Sequence, residues 1–197
     1  MATDQKAQQT LDLISSLEHL YRLKSIPRTG WLQAGIHEVD VESIAAHSFG
    51  MSMLILYLRP LLQANGIYVE RALNMAMIHD IAESIVGDLT PEDNVLGEEK
   101  HRAEAHAFDQ IIRGVSEGEY FKELWNEFEA AKSAEAKLVK RIDKLDMLIQ
   151  AYLYEKKFSI RLDSFWANMD NLFKDSESES IYGYILSNRF EPRGNLE

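Results

Sequence analysis

Residues 41–64 read VESIAAHSFGMSMLILYLRPLLQA, and this stretch decides the fold. Ile44, His47, Met51, Leu54 and Leu58 recur at steps of three and four, which places them on one face of a helix from about Val41 to Ala64. Asn65-Gly66 closes it, a pair that tolerates the left-handed conformation used at helix ends. A histidine therefore shares a face with four apolar residues. A neutral imidazole buried in a bundle needs a partner for both nitrogens, and a metal ion satisfies one of them. One such histidine alone is more often a satisfied core residue.

The same period runs through the rest of the chain. Leu11, Ile14, Leu17, Leu20 and Tyr21 predict a first amphipathic helix ending before Pro27. Residues 25–40, with Pro27, Gly30 and Gly35, read as an irregular loop. A third helix is expected from about Val69 to Ile85, with Gly87-Asp88 opening a loop. Thr90-Pro91-Glu92-Asp93 has a threonine cap, a proline at the first position and acids in the first turn, the pattern of a helix start. Further helices are expected at about 97–114, 118–131, 134–158, 163–173 and 178–190. Ser133 caps the long one, whose stripe is Leu138, Ile142, Leu145, Ile149 and Leu153. DSESES (175–180) reads as a polar connector. Period-2 alternation is nearly absent. The expectation is an all-α, single-domain helical bundle over 1–197, with a core at about 11–158 and C-terminal helices at about 163–190.

Composition narrows the functions. The 197 residues, 46% apolar and 27% charged, suit one ordinary globular domain. The absence of cysteine excludes disulfides, thiolate zinc sites, iron–sulfur clusters and cysteine nucleophiles. Met51–Leu58, the longest strongly apolar run, is too short for a membrane span of ~20 residues. The opening MATDQKAQQT has neither a basic start nor an apolar signal core, so a soluble cytoplasmic protein is expected. A net charge of −11 argues against a nucleic-acid polymer as partner. An anionic small molecule needs a local positive focus, such as a metal ion or a buried arginine. Lys100-His101-Arg102, the one dense basic cluster, is flanked by Glu98, Glu99 and Glu104 and pairs with them as readily as it lines a phosphate entrance.

Of six histidines, His47 and His79 sit in apolar helical contexts. His79 follows Ala72, Met75 and Ala76 on its own face and precedes Asp80. Side chains of adjacent helical residues point about 100° apart, so His79 and Asp80 reach neighbouring positions on one ion. Glu83 is expected on the same side of that helix. Asp143, beside the apolar stripe of the long helix, is costly there unless paired or metal-bound; Lys140 and Lys144 are its ordinary partners. Glu83 and Asp88 have an equally ordinary reading as surface acids.

Ala45-Ala46-His47-Ser48, Met77–Glu83 (MIHDIAE), Val86–Asp93 (VGDLTPED) and Asp143-Lys144-Leu145 resemble the HD-domain metal-dependent phosphohydrolases. The likeness covers about Leu11 to Tyr154. HDIAE, VGDLTPED and Pro27-Arg28-Thr29-Gly30-Trp31 resemble in particular the small single-domain 5′-deoxynucleotidases. The resemblance implies that His47, His79, Asp80 and Asp143 hold one divalent cation. Two imidazoles and two carboxylates suit Mn²⁺, Co²⁺, Fe²⁺ or Zn²⁺ better than Mg²⁺. It further implies that Glu83, Asp88 and the Leu89 carbonyl hold a second cation, or that the two carboxylates transfer protons directly. On that reading water attacks phosphorus in line. Glu83 orients or deprotonates it, and Asp88 protonates the departing 5′-oxygen or fixes the nucleophile. Arg28 grips the phosphate, and Trp31 walls the sugar against a 2′-hydroxyl; the ordinary readings are a solvated charge and a core plug. The expected activity is hydrolysis of deoxyribonucleoside 5′-monophosphates to deoxyribonucleoside and phosphate, by a homodimer. The alternatives are another HD phosphohydrolase or phosphodiesterase acting on nucleotides, and a non-catalytic metal- or nucleotide-binding helical protein. Aromatic residues of the last third, Phe165 and Trp166 among them, are expected to cap the core or form a dimer face.

Overall fold

Three helices, α3 (Ile44–Ala64), α4 (Val69–Ile78) and α8 (Ala134–Phe158), pack against one another at the centre of a computed structural model that describes residues 2–90 and 97–191. Their inner faces supply Met51 and Ile55, then Ala72, Met75 and Ala76, then Leu138, Ile142, Leu145 and Leu148, all buried. Burial of each larger aliphatic contributes about 1.5–3 kcal/mol, and the small alanines of α4 let the neighbouring helices approach. Around this core run α1 (Ala2–Arg22), α2 (Thr29–Gln33), a 3₁₀ turn (Glu38–Asp40), α5 (Glu83–Val86), α6 (Gly97–Ile112) and α7 (Gly118–Ala130). The chain continues through α9 (Asp163–Trp166), α10 (Asp170–Phe173) and α11 (Glu179–Ser187). The fold is all-α: among the described residues no strand forms, and one isolated bridge joins Pro27 to Ser43.

Several boundaries differ from the periodicity reading. The second predicted helix begins at Ile44 rather than Val41, because the Ser43 hydroxyl accepts from the Ala46 N–H and caps it. The expected 25–40 loop contains α2 and the 3₁₀ turn, and the Arg28 N–H donates to the Glu42 carbonyl. The expected 163–173 helix is two single turns, broken where Ala167 is extended and Asn168 has φ 62°. The long helix starts from its Ser133 cap as read. The helix start read at Thr90-Pro91-Glu92-Asp93 lies outside the described residues beyond Thr90.

The first helix departs in another way. Its stripe of Leu11, Ile14, Leu17, Leu20 and Tyr21 faces outward. α1 instead docks on α6 through a small polar contact, with the buried Ser16 hydroxyl donating to the Ile111 carbonyl. Gly114 comes so close to the Asp12 backbone that no Cβ fits there. By length and composition α3 is apolar enough to cross a membrane, although it carries His47 and Arg59; its buried face is part of the core just described.

The C-terminal segment is tied to α8 by a carboxylate. Glu155 is wholly buried, accepts from the Leu162 N–H at 2.8 Å and is gripped by the Arg189 guanidinium, with Nε at 3.0 Å. Arg189 also lies over the Trp166 ring. Its removal leaves a buried charge without its counter-ion. Arg189→Leu is therefore expected to cost about 3–5 kcal/mol, read as a lowered urea midpoint. Replacing Glu155 by Gln in the same background should recover part of that loss.

Candidate active site

The end of α4 builds the floor of the site. The third helix was expected to continue to Ile85, but it stops at Ile78, and residues 79–82 turn before α5. The cause lies in one side chain. His79 Nδ1 sits 2.9 Å from the Ala76 carbonyl, which can only accept, so the imidazole N–H takes a carbonyl at the end of the helix. The backbone goes on through three-residue bonds, Ile81 N–H to Ile78 and Ser84 N–H to Ile81. Glu83 thus reaches the site from the first turn of α5, not from the face of a continuous helix.

The four residues assigned to a cation by resemblance come together from three places: His47 on α3, His79 and Asp80 at the α4 exit, Asp143 on α8. His47 Nε2 lies 3.2 Å from Asp143 Oδ1 and 3.9 Å from Asp80 Oδ2, and His79 Nε2 lies 2.9 Å from Asp80 Oδ2. Ligand atoms of His47, His79 and Asp143 all fall within 4.8 Å of one another. Asp143 serves two partners, because Lys144 Nζ stands 3.1 Å from its other oxygen.

Hydrogen bonding tests whether a metal ion fits. Both imidazoles spend their Nδ1–H elsewhere, His79 on Ala76 and His47 on Asp146 Oδ2 at 2.7 Å. Both Nε2 atoms are buried and have no hydrogen-bond partner. With both rings neutral, two lone pairs and two carboxylates face one another, a crowding that a proton on His47 or a cation relieves. A cation would be met by His47, His79 and Asp143 together, with Asp80 next to His79, and this donor set fits a divalent ion of the Mn²⁺, Fe²⁺, Co²⁺ or Zn²⁺ kind.

The charges respond to this crowding. Burial opposes the ionisation of Asp80, yet the His79 and His47 imidazoles and Arg28 hold it well below the usual carboxylate range. Asp143 is likewise held low against burial, by His47 and Lys144. For His47, burial and the Arg28 charge favour the neutral ring, but Asp143 and Asp146 outweigh them and push it up to about 9. Burial, then the charges of Asp80 and Asp88, push Glu83 up to about 10, and its Oε2 is buried without a partner.

Above this floor opens a cavity of about 300 Å³. Arg28, Asp80, Glu83, Asp88, Lys100, Asp143 and Lys144 form its charged side, and Trp31, Met147 and Phe165 its apolar wall. The Arg28 guanidinium reaches Asp80 at 3.4 Å; burial opposes its charge, but the surrounding carboxylates raise its pKa. Asp88 is held by the Thr29 N–H at 2.5 Å, which ties the Arg28 loop to the loop after α5. The Leu89 carbonyl, where the resemblance implies a second cation, accepts from Lys100 Nζ at 2.7 Å. A second cavity of about 260 Å³ shares Asp80, Glu83, Lys100 and Asp143 and is also lined by His101. Arg102 lines neither of these two; its guanidinium turns back to the Glu98 carbonyl.

Trp31 is 1% exposed, and its indole N–H donates to Glu42 at 2.9 Å. It is therefore a core plug whose edge reaches the cavity, stacked on Phe165 with ring centroids 4.3 Å apart. Phe165 belongs to the cavity wall, not only to the core cap expected from sequence. Asp146, too, had no role in the sequence reading; its signal was the Asp143-x-x-Asp146 spacing, which sets both carboxylates on one face of α8.

A family model described as HD domain matches residues 20–181. The 5′-deoxynucleotidase hdd1 of Schizosaccharomyces pombe is 44% identical over 159 residues, spanning 78% of this chain and 77% of that protein. The human 5′-deoxynucleotidase HDDC2 is 37% identical over 145 residues, spanning 73% and 68%. Among solved structures, the PH0347 protein of Pyrococcus horikoshii OT3 is 36% identical, with a TM-score of 0.74 over 90% of this chain and 99% of its own.

The raised groups set a pH dependence. His47 goes from 6.5 to about 9 and Glu83 from 4.5 to about 10, so the metal-free fold holds protons that the unfolded chain has released. Stability is then lost as pH rises through those windows. Asp80 and Asp143, held below 3.8, contribute a constant amount above about pH 5. The melting temperature of EDTA-treated protein should fall between about pH 6 and about pH 8.5. Saturating Mn²⁺ should flatten that fall, because ligation replaces the His47 proton. Scanning calorimetry checks both, and a midpoint rising with pH in EDTA contradicts the assignment.

Proposed function

The chain belongs to the HD-domain family, and from that membership we propose that it hydrolyses deoxyribonucleoside 5′-monophosphates to deoxyribonucleoside and phosphate, with a divalent cation held by His47, His79, Asp80 and Asp143. The observation that carries the reading is the pair of buried, unpartnered Nε2 atoms facing two carboxylates beneath a cavity with one charged side and one aromatic side. A bound cation supplies neutralisation of a phosphate oxygen and lowers the pKa of water toward about 7.

The chain's own residues do the rest. Arg28 presents a planar fork of donors to the phosphate from a site that already keeps it charged. Lys100 donates to the Leu89 carbonyl, so a positive charge built into the protein already stands where a second cation would bind. Glu83 carries its proton because it is buried and the charges of Asp80 and Asp88 stand beside it. A cation beside Asp80 would remove one of the causes that raise Glu83 and so favour its acting as the acceptor of a proton from the attacking water. Asp88, aimed by the Thr29 N–H, is placed to accept a hydrogen bond from the attacking water and fix it, and the proton that Glu83 takes from that water is returned to the departing 5′-oxygen. The Trp31–Phe165 stack forms the wall against the sugar and base.

Loss of a general base costs about 10²–10⁴-fold in rate. Glu83→Gln should show that drop in phosphate release from deoxyribonucleoside monophosphates assayed with Mn²⁺ or Co²⁺, while elemental analysis finds the wild-type metal content. Near-wild-type turnover removes Glu83 from the mechanism.

We further infer a homodimer. Its support is the outward stripe of α1, Leu13, Ile14, Leu17, Leu20 and Tyr21, together with Phe49, Leu56 and Tyr57 on the outer side of α3. A row of exposed apolar side chains along one helix face is the kind of surface that marks an interaction site. Light scattering on the eluting protein should give twice the 22.6 kDa chain mass. Ile14→Glu combined with Leu17→Glu should halve the measured mass with helicity retained; a monomeric wild type overturns the inference.

A further inference from the structure

His47 is gripped from the side away from the cavity. Asp143 and Asp146, three residues apart on α8, bracket the ring: one faces Nε2 at 3.2 Å, the other accepts from Nδ1–H at 2.7 Å. Room for the second carboxylate comes from α3. Gly50 follows His47 by three residues on the same helix, and a Cβ there would overlap Asp146 Oδ1 far inside van der Waals contact. Nothing in the backbone asks for glycine at this position, which is helical and free of positive φ. In a helix interior glycine costs about 0.5–1 kcal/mol relative to alanine. The missing methyl is explained by the carboxylate that fills its place. A Glu42 oxygen also lies within 4.8 Å of a His47 ring nitrogen and an Asp146 oxygen, but Glu42 Oε1 is engaged by the Trp31 indole.

We propose that Asp146, admitted by the Gly50 notch, is a positioning residue for metal binding: it holds His47 in the Nδ1–H tautomer and aims the Nε2 lone pair at the ion. Asp146 itself is not placed as a ligand. The proposal rests on the reading of His47 as a metal ligand. It adds that the affinity of the site depends on a hydrogen bond one residue removed from the ion, and on a glycine that touches neither metal nor substrate.

Co²⁺ alone is the probe. Its dissociation constant is measured by competition with a chromophoric chelator, and its d–d absorption reports the ligand field, both without substrate or turnover. Asp146→Ala and Gly50→Ala should each weaken Co²⁺ about 10–100-fold and alter the spectrum. Asp146→Asn, which keeps an acceptor oxygen, should recover most of the affinity, a rescue that a loss of packing would not show. Wild-type affinity in the Asp146→Ala or Gly50→Ala protein overturns the proposal, as does an Asp146→Asn protein no better than Asp146→Ala. If both alanine variants fail to fold by circular dichroism, the wild type decides. Its Zn²⁺-loaded form should show His47 protonated at Nδ1 in ¹⁵N long-range correlation spectra, and protonation at Nε2 overturns the proposal. A wild type that binds no Co²⁺ overturns the metal reading as well, which separates the two failures.

Discussion

The Nε2 atoms of two imidazoles meet two carboxylates in the interior, and much of the molecule is arranged around the positive charge that this cluster needs. His47 is fully buried and His79 nearly so, and each has its Nδ1–H committed to a fixed acceptor. Acceptors that face acceptors in a poorly solvated site raise the energy of the fold unless positive charge arrives. In the metal-free chain that charge comes from Arg28, reaching in at 3.4 Å to Asp80, and from a proton on His47. Neither is a complete answer, since one donor of the guanidinium meets one carboxylate and a single proton serves only one of the two rings.

The same constraint shapes the backbone. An α4 that ran on to Ile85 would keep the Ala76 carbonyl inside its own ladder. By giving that carbonyl to the His79 ring, the chain ends the helix, fixes the tautomer and turns Asp80 and Glu83 toward the floor in one step. Periodicity reads side chains by angle and cannot register a side chain that competes with the main chain for a carbonyl. This is why periodicity carries the third helix on to Ile85, past the point where the backbone turns.

Legibility follows the range of the forces involved. The all-α fold was readable because burial imposes a 3.6-residue period on α3, α4 and α8, and the caps at Ser43 and Ser133 are local. The four converging residues were readable because their types and order carry a family resemblance. Asp146 and Phe165 were not, since each acquires its role through a residue far along the chain, His47 in one case and Trp31 in the other. The outward face of α1 was hidden for a related reason. A moment says that a helix has an apolar side, whereas the Gly114–Asp12 approach decides which side meets the protein.

Charge balance explains how a chain of net charge −11 can take an anionic ligand. Arg28, Lys100 and Lys144 line the cavity against Asp80, Asp88 and Asp143, with Glu83 holding its proton. The lining is then close to neutral, and neutral walls do not attract a phosphate monoester. A divalent ion held at this site would tip the balance to the positive side, the sign that an anionic ligand needs. Ionising Glu83 in the metal-free protein would instead make the lining negative and repel the ligand. The high pKa of Glu83 and the demand for a cation at Asp80 are thus two consequences of one balance, set by how many carboxylates the α4 exit and α8 bring into so small a volume.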